Sequence, residues 1–176
     1  MEKDILEYVD HTILKPTATW VEVKKVLTQA MEHNCASACI PPCYVKKAKK
    51  YVKNKLPICT VIGFPNGNMS TKSKCDETRN AIQDGADEID MVINLGWVYD
   101  NRYDKVEKQI KKIVNICHTK KEHHILKVII ETCDLNEEQI RKMCEIVAKS
   151  GADFIKTSTG FSKNGATLEV VKIMKI

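Results

Sequence analysis

The stretch DGADEIDMVIN at 84–94 is echoed by SGADFIKTSTG at 150–160. Each carries Gly-Ala-Asp from its second residue, runs into a short strand-like segment and carries a charge inside it, Asp90 in the first and Lys156 in the second. A glycine that ends a helix belongs just past its last turn, so Gly85 and Gly151 each mark a passage from helix to strand. They are 66 residues apart, two units of about 33, which is the length of a strand–helix repeat.

The same alternation runs outward along the chain. Strands are predicted at YVDHTILK (8–15), ASACI (36–40), ICTVIGF (58–64), EIDMVIN (88–94), ILKVIIE (125–131) and DFIKTS (153–158). They are short and mostly apolar, which suits a parallel sheet buried on both faces. Amphipathic helices separate them. Val23, Val26, Leu27, Ala30 and Met31 share one stripe, and Thr19 with Glu22 has the spacing of a capping box. Val106, Ile110, Ile113, Val114 and Cys117 mark a second helix. Ile140, Met143, Cys144, Val147 and Ala148 mark a third, with Asp134 and Glu137 placed to cap its start; TLEVVKIMKI (167–176) begins a last one.

Strictly alternating strands and helices mean an open doubly wound sheet or a (βα)8 barrel. No GxGxxG or Walker A pattern supports nucleotide binding on the open sheet. Charges inside several strands favour the α/β TIM barrel, where such groups gather at one mouth. The strand ends recur about every 28 residues, so eight units would need roughly 225, near the ~250 usual for that fold. A chain of 176 residues holds six units. The expectation is one domain over 1–176, of barrel type, with only about six βα units and the C-terminal ones missing.

Composition narrows the function classes. At 43% hydrophobic and 29% charged, the chain reads as an ordinary globular protein. The apolar runs are too short for a membrane span, and the N-terminus is charged from its second residue, unlike a secretory leader, so a cytoplasmic setting is expected. The net charge is +5, but the lysines of KKAKKYVKNK (46–55) and EKQIKKI (107–113) read as solvated helix faces. With aromatics at 6%, no nucleic-acid surface is expected. The eight cysteines form no CxxC pair, and Pro41 and Pro42 break the helical spacing of Cys35, Cys39 and Cys43. They read as reduced, buried small hydrophobes rather than a metal site.

Strand alternation places Lys156 with Phe154 and Ser158, Asp90 with Glu88, Val92 and Asn94, and Lys127 with Ile129 and Glu131. An inward lysine has two readings. It can be half of an ion pair or a snorkelling side chain. Alternatively, burial or a neighbouring cation lowers its pKa, and the neutral amine forms a Schiff base whose iminium accepts the electrons of a breaking C–C bond. Asp90 is then either a structural carboxylate or a proton carrier. Thr157-Ser158-Thr159-Gly160 is either a capping turn or a loop whose backbone N–H groups approach a phosphate.

Six motifs together resemble the deoxyribose-phosphate aldolase family: YVDHTILKP (8–16), CIPPCYV (39–45), CTVIGFPNG (59–67), EIDMVINLG (88–96), LKVIIET (126–132) and DFIKTSTGF (153–161). Pro41 stands where that family usually has asparagine, and Asn66 where leucine is common. The resemblance implies a class I aldolase with no metal or organic cofactor, which interconverts 2-deoxy-D-ribose 5-phosphate with D-glyceraldehyde 3-phosphate and acetaldehyde. It implies Lys156 as the Schiff-base lysine and Asp90 as the proton relay. Asp10 and Thr12 would line the sugar pocket, Cys39 would lie beside the aldehyde, and Thr159 would help hold a water. Backbone of Gly160 and Phe161 would serve the phosphate, and Lys127 would be an electrostatic neighbour of Lys156 at the substrate site. The implied partner is a small phosphorylated sugar, with a homodimer as a further expectation.

The family's seventh strand carries a second lysine in a Gly-Val-Lys stretch followed by phosphate-binding glycines, and nothing in 162–176 matches it; Lys163, Lys172 and Lys175 lie in other contexts. A chain ending at Ile176 is therefore expected to turn over poorly. The competing expectation is a truncated, non-catalytic paralogue that self-associates or binds phosphosugar without turnover. A different Schiff-base barrel aldolase or a phosphosugar isomerase would not account for all six motifs.

Overall fold

The computed structural model describes residues 4–175; Met1 to Lys3 and Ile176, the last residue of the predicted C-terminal helix, lie outside the described residues. Six parallel strands form one sheet in chain order: β1 (Asp10–Thr12), β2 (Ser37–Ile40), β3 (Ile58–Ile62), β4 (Glu88–Val92), β5 (Ile125–Ile129) and β6 (Phe154–Lys156). Seven α-helices connect and follow them: α1 (Trp20–Glu32), α2 (Val45–Val52), α3 (Thr71–Gln83), α4 (Leu95–Tyr99), α5 (Tyr103–Cys117), α6 (Glu137–Ser150) and α7 (Leu168–Met174). All six predicted strands exist at the predicted places. The outermost two are the shortest, at three residues each, because each has only one neighbour to pair with.

The two faces of the sheet differ in chemistry. Ala38, Ile40, Ile58, Ile62, Ile89, Met91, Leu126 and Val128 point outward and pack under the helices with Val23, Leu27, Ile110, Ile113 and Met143. Burying each large aliphatic side chain there contributes about 1.5–3 kcal/mol, so this interface is the main hydrophobic drive of the fold. The alternate residues point inward. They comprise Asp10, Ser37, Cys39, Cys59, Val61, Glu88, Asp90, Lys127 and Lys156, mostly polar or small. The sheet curls far enough for its two ends to meet through side chains, since Asp10 on β1 bonds Lys127 on β5 at 2.7 Å and Lys156 on β6 at 3.3 Å. The sheet is a curled partial barrel of six βα units, in which β1 and β6 form the edges.

Local signals set the ends of the helices. Thr19 and Glu22 form the predicted capping box on α1. The cap of α6 differs from expectation. Asn136 is the N-cap and bonds reciprocally with Gln139, whereas Asp134 ends a preceding 3-10 turn, Thr132–Asp134, and Glu137 is the first helical residue. The Asn-x-x-Gln box lies two residues beyond Asp134, and Leu135 has the extended backbone that separates turn from helix. Gly151 ends α6 at φ 82°, as the sequence implied. All eight cysteines are free; Cys43 is exposed rather than buried, because the Pro42–Tyr44 turn holds it off the core.

Candidate active site

The inward face of β4, β5 and β6 carries a charged cluster. Lys156 Nζ lies 2.5 Å from Asp90 Oδ2 and 3.3 Å from Asp10 Oδ2. Lys127 Nζ lies 2.6 Å from Glu88 Oε2, 2.7 Å from Asp10 Oδ2 and 3.3 Å from Asp90 Oδ1. Two lysines thus face three carboxylates. The register explains the meeting: Asp90 pairs with Lys127 across β4 and β5, while Lys156 on β6 pairs with Ile129, one inward position further along β5. Ser37 donates to the second oxygen of Asp10 at 2.8 Å, which fixes that carboxylate between the two ends of the curl.

Burial works against every charge in this cluster, and neighbours decide the outcome. Burial pushes the Lys156 amine down, but the Asp90 charge and its hydrogen bond outweigh this, so the pKa is raised. Of the two readings of an inward lysine, this arrangement takes the ion pair: Lys127 acts to lower the pKa, but Asp90 is closer. Lys127 is likewise raised, burial being outweighed by Asp90, Glu88 and Asp10 around it. Burial raises the Glu88 carboxyl and Lys127 only partly offsets it, which favours its protonated form. Asp10 ends lowered, its burial outweighed by Lys127, Ser37 and Lys156.

The remaining expected residues fall around this cluster. Cys39 is buried on the inward face of β2 and packs with Cys59, Val61, Leu14 and Phe64. Burial drives the Cys59 thiol upward, and it donates to Asp90 Oδ1 at 3.3 Å. Thr12 sits one inward position past Asp10, exposed, with its hydroxyl turned back onto Asp10 O at 2.7 Å. Thr159 is held by Glu131, which accepts from both its hydroxyl and its backbone N–H. Gly160 has φ +81° and open space where a side chain would be. The Phe161 N–H already donates to Thr159 Oγ1 at 3.0 Å, and its ring meets Phe64 edge-on at 5.2 Å. Of the two expected phosphate amides, Gly160 keeps the more open approach.

Cys59 was not singled out from the sequence, and Glu88 and Glu131 were placed on the faces of Asp90 and Lys127 without a role. Glu88 keeps its place beside Asp90 in β4. Glu131 does not continue the face of Lys127: the strand ends at Ile129, and Glu131 takes a left-handed backbone at φ 51°, which no alternation rule anticipates.

The sequence matches the family model of the DeoC/LacD family aldolases over residues 5–176. The chain belongs to the DeoC/LacD aldolase family. It is 57% identical over 172 residues to a deoxyribose-phosphate aldolase of Streptococcus pyogenes serotype M28 (strain MGAS6180), a match covering 98% of this chain and 75% of that one. A Coccidioides immitis protein assigned as a deoxyribose-phosphate aldolase superposes with a TM-score of 0.92 at 37% identity, covering 97% of this chain and 66% of its own. The deoxyribose phosphate aldolase of Aeropyrum pernix, a tetramer, superposes with a TM-score of 0.87 at 26% identity, covering 96% and 70%. As a DeoC/LacD aldolase the chain is a lyase of barrel architecture. Among its described residues, no helix is long and apolar enough to cross a membrane.

Proposed function

We propose that the chain carries the chemistry of a deoxyribose-phosphate aldolase, with Lys156 as the nucleophile and Asp90 as its proton partner. The observation that carries this reading is the 2.5 Å contact between Lys156 Nζ and Asp90 Oδ2 on the inward face. The ammonium of Lys156 passes a proton to Asp90, and the freed amine attacks the C1 carbonyl of 2-deoxy-D-ribose 5-phosphate. The attacking nitrogen gives one proton to the carbonyl oxygen, Asp90 returns a second, and the oxygen leaves as water to form the iminium. Loss of the C3 hydroxyl proton breaks the C2–C3 bond, and its electron pair moves into the iminium to give an enamine. D-Glyceraldehyde 3-phosphate departs. Proton return to the enamine carbon and attack by water then release acetaldehyde and restore the Lys156 amine.

The other residues take supporting roles in this reading. Lys127 binds Asp10, Glu88 and Asp90 and holds the carboxylates against one another. Asp10 and Thr12 line the sugar side, and Cys39 borders the aldehyde. Thr159, fixed by Glu131, holds a water, while Gly160 and Phe161 approach the phosphate. The adjoining hollow of about 170 Å³ is lined by Glu131 and Asp134 among others, so an anion belongs on the Gly160 side of the loop rather than in that hollow. The setting is cytoplasmic.

A second reading keeps binding and discards turnover. Phe154 lies on the inward face of the edge strand β6 and is 56% exposed; Leu168 and Val171 are exposed beyond it. Those side chains support self-association, as a dimer or a larger assembly, around a site that does not cleave. One experiment tests both. The protein is incubated with deoxyribose 5-phosphate, reduced with borohydride and digested for mass spectrometry. A reduced adduct on Lys156 with release of glyceraldehyde 3-phosphate supports the aldolase. An adduct without release supports the second reading, and an unmodified Lys156 in folded protein sinks the first.

A further inference from the structure

A second cluster of reactive side chains lies at the other end of the strands. His118 follows the last turn of α5, His123 stands two residues before β5, and Asp153 immediately precedes β6. An antiparallel bridge pairs His118 with His123 across the turn between them. Their rings stack at 4.0 Å with 15° between planes, so both Nε2 atoms point the same way. Both meet Asp153: His118 Nε2 lies 2.9 Å from Oδ2, and His123 Nε2 lies 2.9 Å from Oδ1. Asp153 is itself fixed to β5, accepting from Leu126 N at 2.7 Å and donating its own N–H to Leu126 O at 3.0 Å. Three donor atoms from three chain segments are thus held within 4.8 Å of one another before any ligand arrives.

The donor set decides the class of ligand. Two imidazoles and one carboxylate are the ligands of zinc and its neighbours in the first transition row, whereas calcium and magnesium take oxygen alone. A different trio with similar spacing, Cys39, Cys59 and Asp90, does not qualify. There Asp90 already bonds Lys156 and Lys127, and burial keeps the Cys59 thiol protonated. The Cys117 thiol beside His118 is fully buried and is not among the donor atoms that lie within 4.8 Å of one another, so it adds no ligand. The His123 side chain is 59% exposed, while those of His118 and Asp153 are 20% exposed, which leaves the fourth position to water.

We propose that His118, His123 and Asp153 form a site for a divalent transition metal of the zinc class, at the N-terminal ends of β5 and β6 and away from the lysine cluster. Coordination moves each ring proton from Nε2 to Nδ1 and replaces the two hydrogen bonds to Asp153 with bonds to the ion. The ion ties the turn after α5 to the start of β6. It stabilises the folded chain by an amount that grows with the logarithm of its free concentration above the dissociation constant, because the unfolded chain does not hold the three donors together.

The test is a calorimetric titration of metal-free protein with zinc chloride at pH 7.5. A Cys43→Ser background removes the exposed thiol as a competing ligand. One equivalent per chain is expected, with a rise in thermal midpoint. In His123→Ala, whose side chain is mostly exposed and whose fold is checked by circular dichroism, affinity falls by more than about 10-fold, the lower bound for losing even an outer partner of a metal ligand. Cobalt(II) bound in place of zinc shows the visible absorption of a four-coordinate site. No saturable binding, or binding unchanged in His123→Ala, overturns the proposal.

Discussion

Lys127 and Lys74 are both buried, at 6% and 0% exposure, yet their pKa values move in opposite directions. Lys127 faces the inside of the curl among Asp10, Glu88 and Asp90, and their charges raise its pKa against the pull of burial. Lys74, on α3, is packed against β4 and α5 and donates only to neutral oxygens, Val92 O at 2.6 Å and Gln109 Oε1 at 2.7 Å. Burial lowers its pKa to about 7, only partly opposed by the charge of Glu77. A neutral amine has two N–H donors, and Lys74 has two acceptors. The contrast teaches that burial alone does not set a lysine's protonation; the carboxylates within reach do. It also shows where a nucleophile sits. Lys156, 2.5 Å from Asp90, is charged at rest and beside its own base, whereas Lys74 gives up its proton far more readily but is sealed from any substrate.

Four substitutions break or sharpen this comparison. The largest effect is expected from Lys156→Ala, which removes the amine: borohydride trapping and aldol cleavage should both vanish while the far-ultraviolet circular dichroism persists. Residual cleavage at the original rate would move the nucleophile elsewhere. Asp90→Asn leaves Lys156 in place without its base and should lower kcat by about 10²–10⁴-fold. An unchanged kcat in that variant assigns the proton transfer to another group, with Asp10 at 3.3 Å the next in reach.

Lys127→Met takes the cation away from buried Glu88 and leaves Asp10 and Asp90 with Lys156, and it should cost about 3–5 kcal/mol in urea unfolding at pH 7. The loss should shrink in acid as Glu88, already raised by burial, takes up a proton. A cost that is the same at pH 5 and pH 7 would show that the carboxylates do not depend on Lys127.

Lys74→Met tests the other side. Unfolded Lys74 titrates near 10.5 and folded Lys74 near 7, so between those values the unfolded chain binds the extra proton and stability rises with pH. The penalty is fully present below pH 7 and reaches on the order of 4–5 kcal/mol relative to high pH. The difference in urea midpoint between wild type and Lys74→Met should therefore change steadily from pH 7 to pH 10, even as buried thiols add their own slope to both proteins. Parallel curves would mean that Lys74 is charged in the folded state.

Much of the fold was legible because it rests on one-dimensional signals. The repeat of Gly-Ala-Asp at Gly85 and Gly151, the stripe through Val23, Leu27 and Ala30, and the capping box of Thr19 with Glu22 each need only neighbours in sequence, and all three appear in the structure. Asp90 and Lys156 were legible for a related reason, since a charge in an apolar strand is conspicuous wherever the strand lies. Lys74 was not. Its surroundings, KSKCDETR, read as a solvated helix face, and only the tertiary approach of Gly63, β4 and α5 buries it. At φ +58° that glycine leaves room for the Lys74 stem, and a Cβ there would fall 2.5 Å from Lys74 Cε.

By itself the sequence determined the order of strands and helices, the face on which each charge would lie and the family to which the chain belongs. Alternation and helical periodicity are local, so they survive without coordinates. Only the tertiary structure decided which charges meet. Asp10 and Lys156 are 146 residues apart, and the curl of the sheet closes that gap to 3.3 Å. The same closure decides between the two readings the strand pattern left open, an ion-paired lysine or a depressed amine: Lys156 rests as an ammonium beside Asp90, because the sign of a pKa shift depends on distances that no spacing in sequence records.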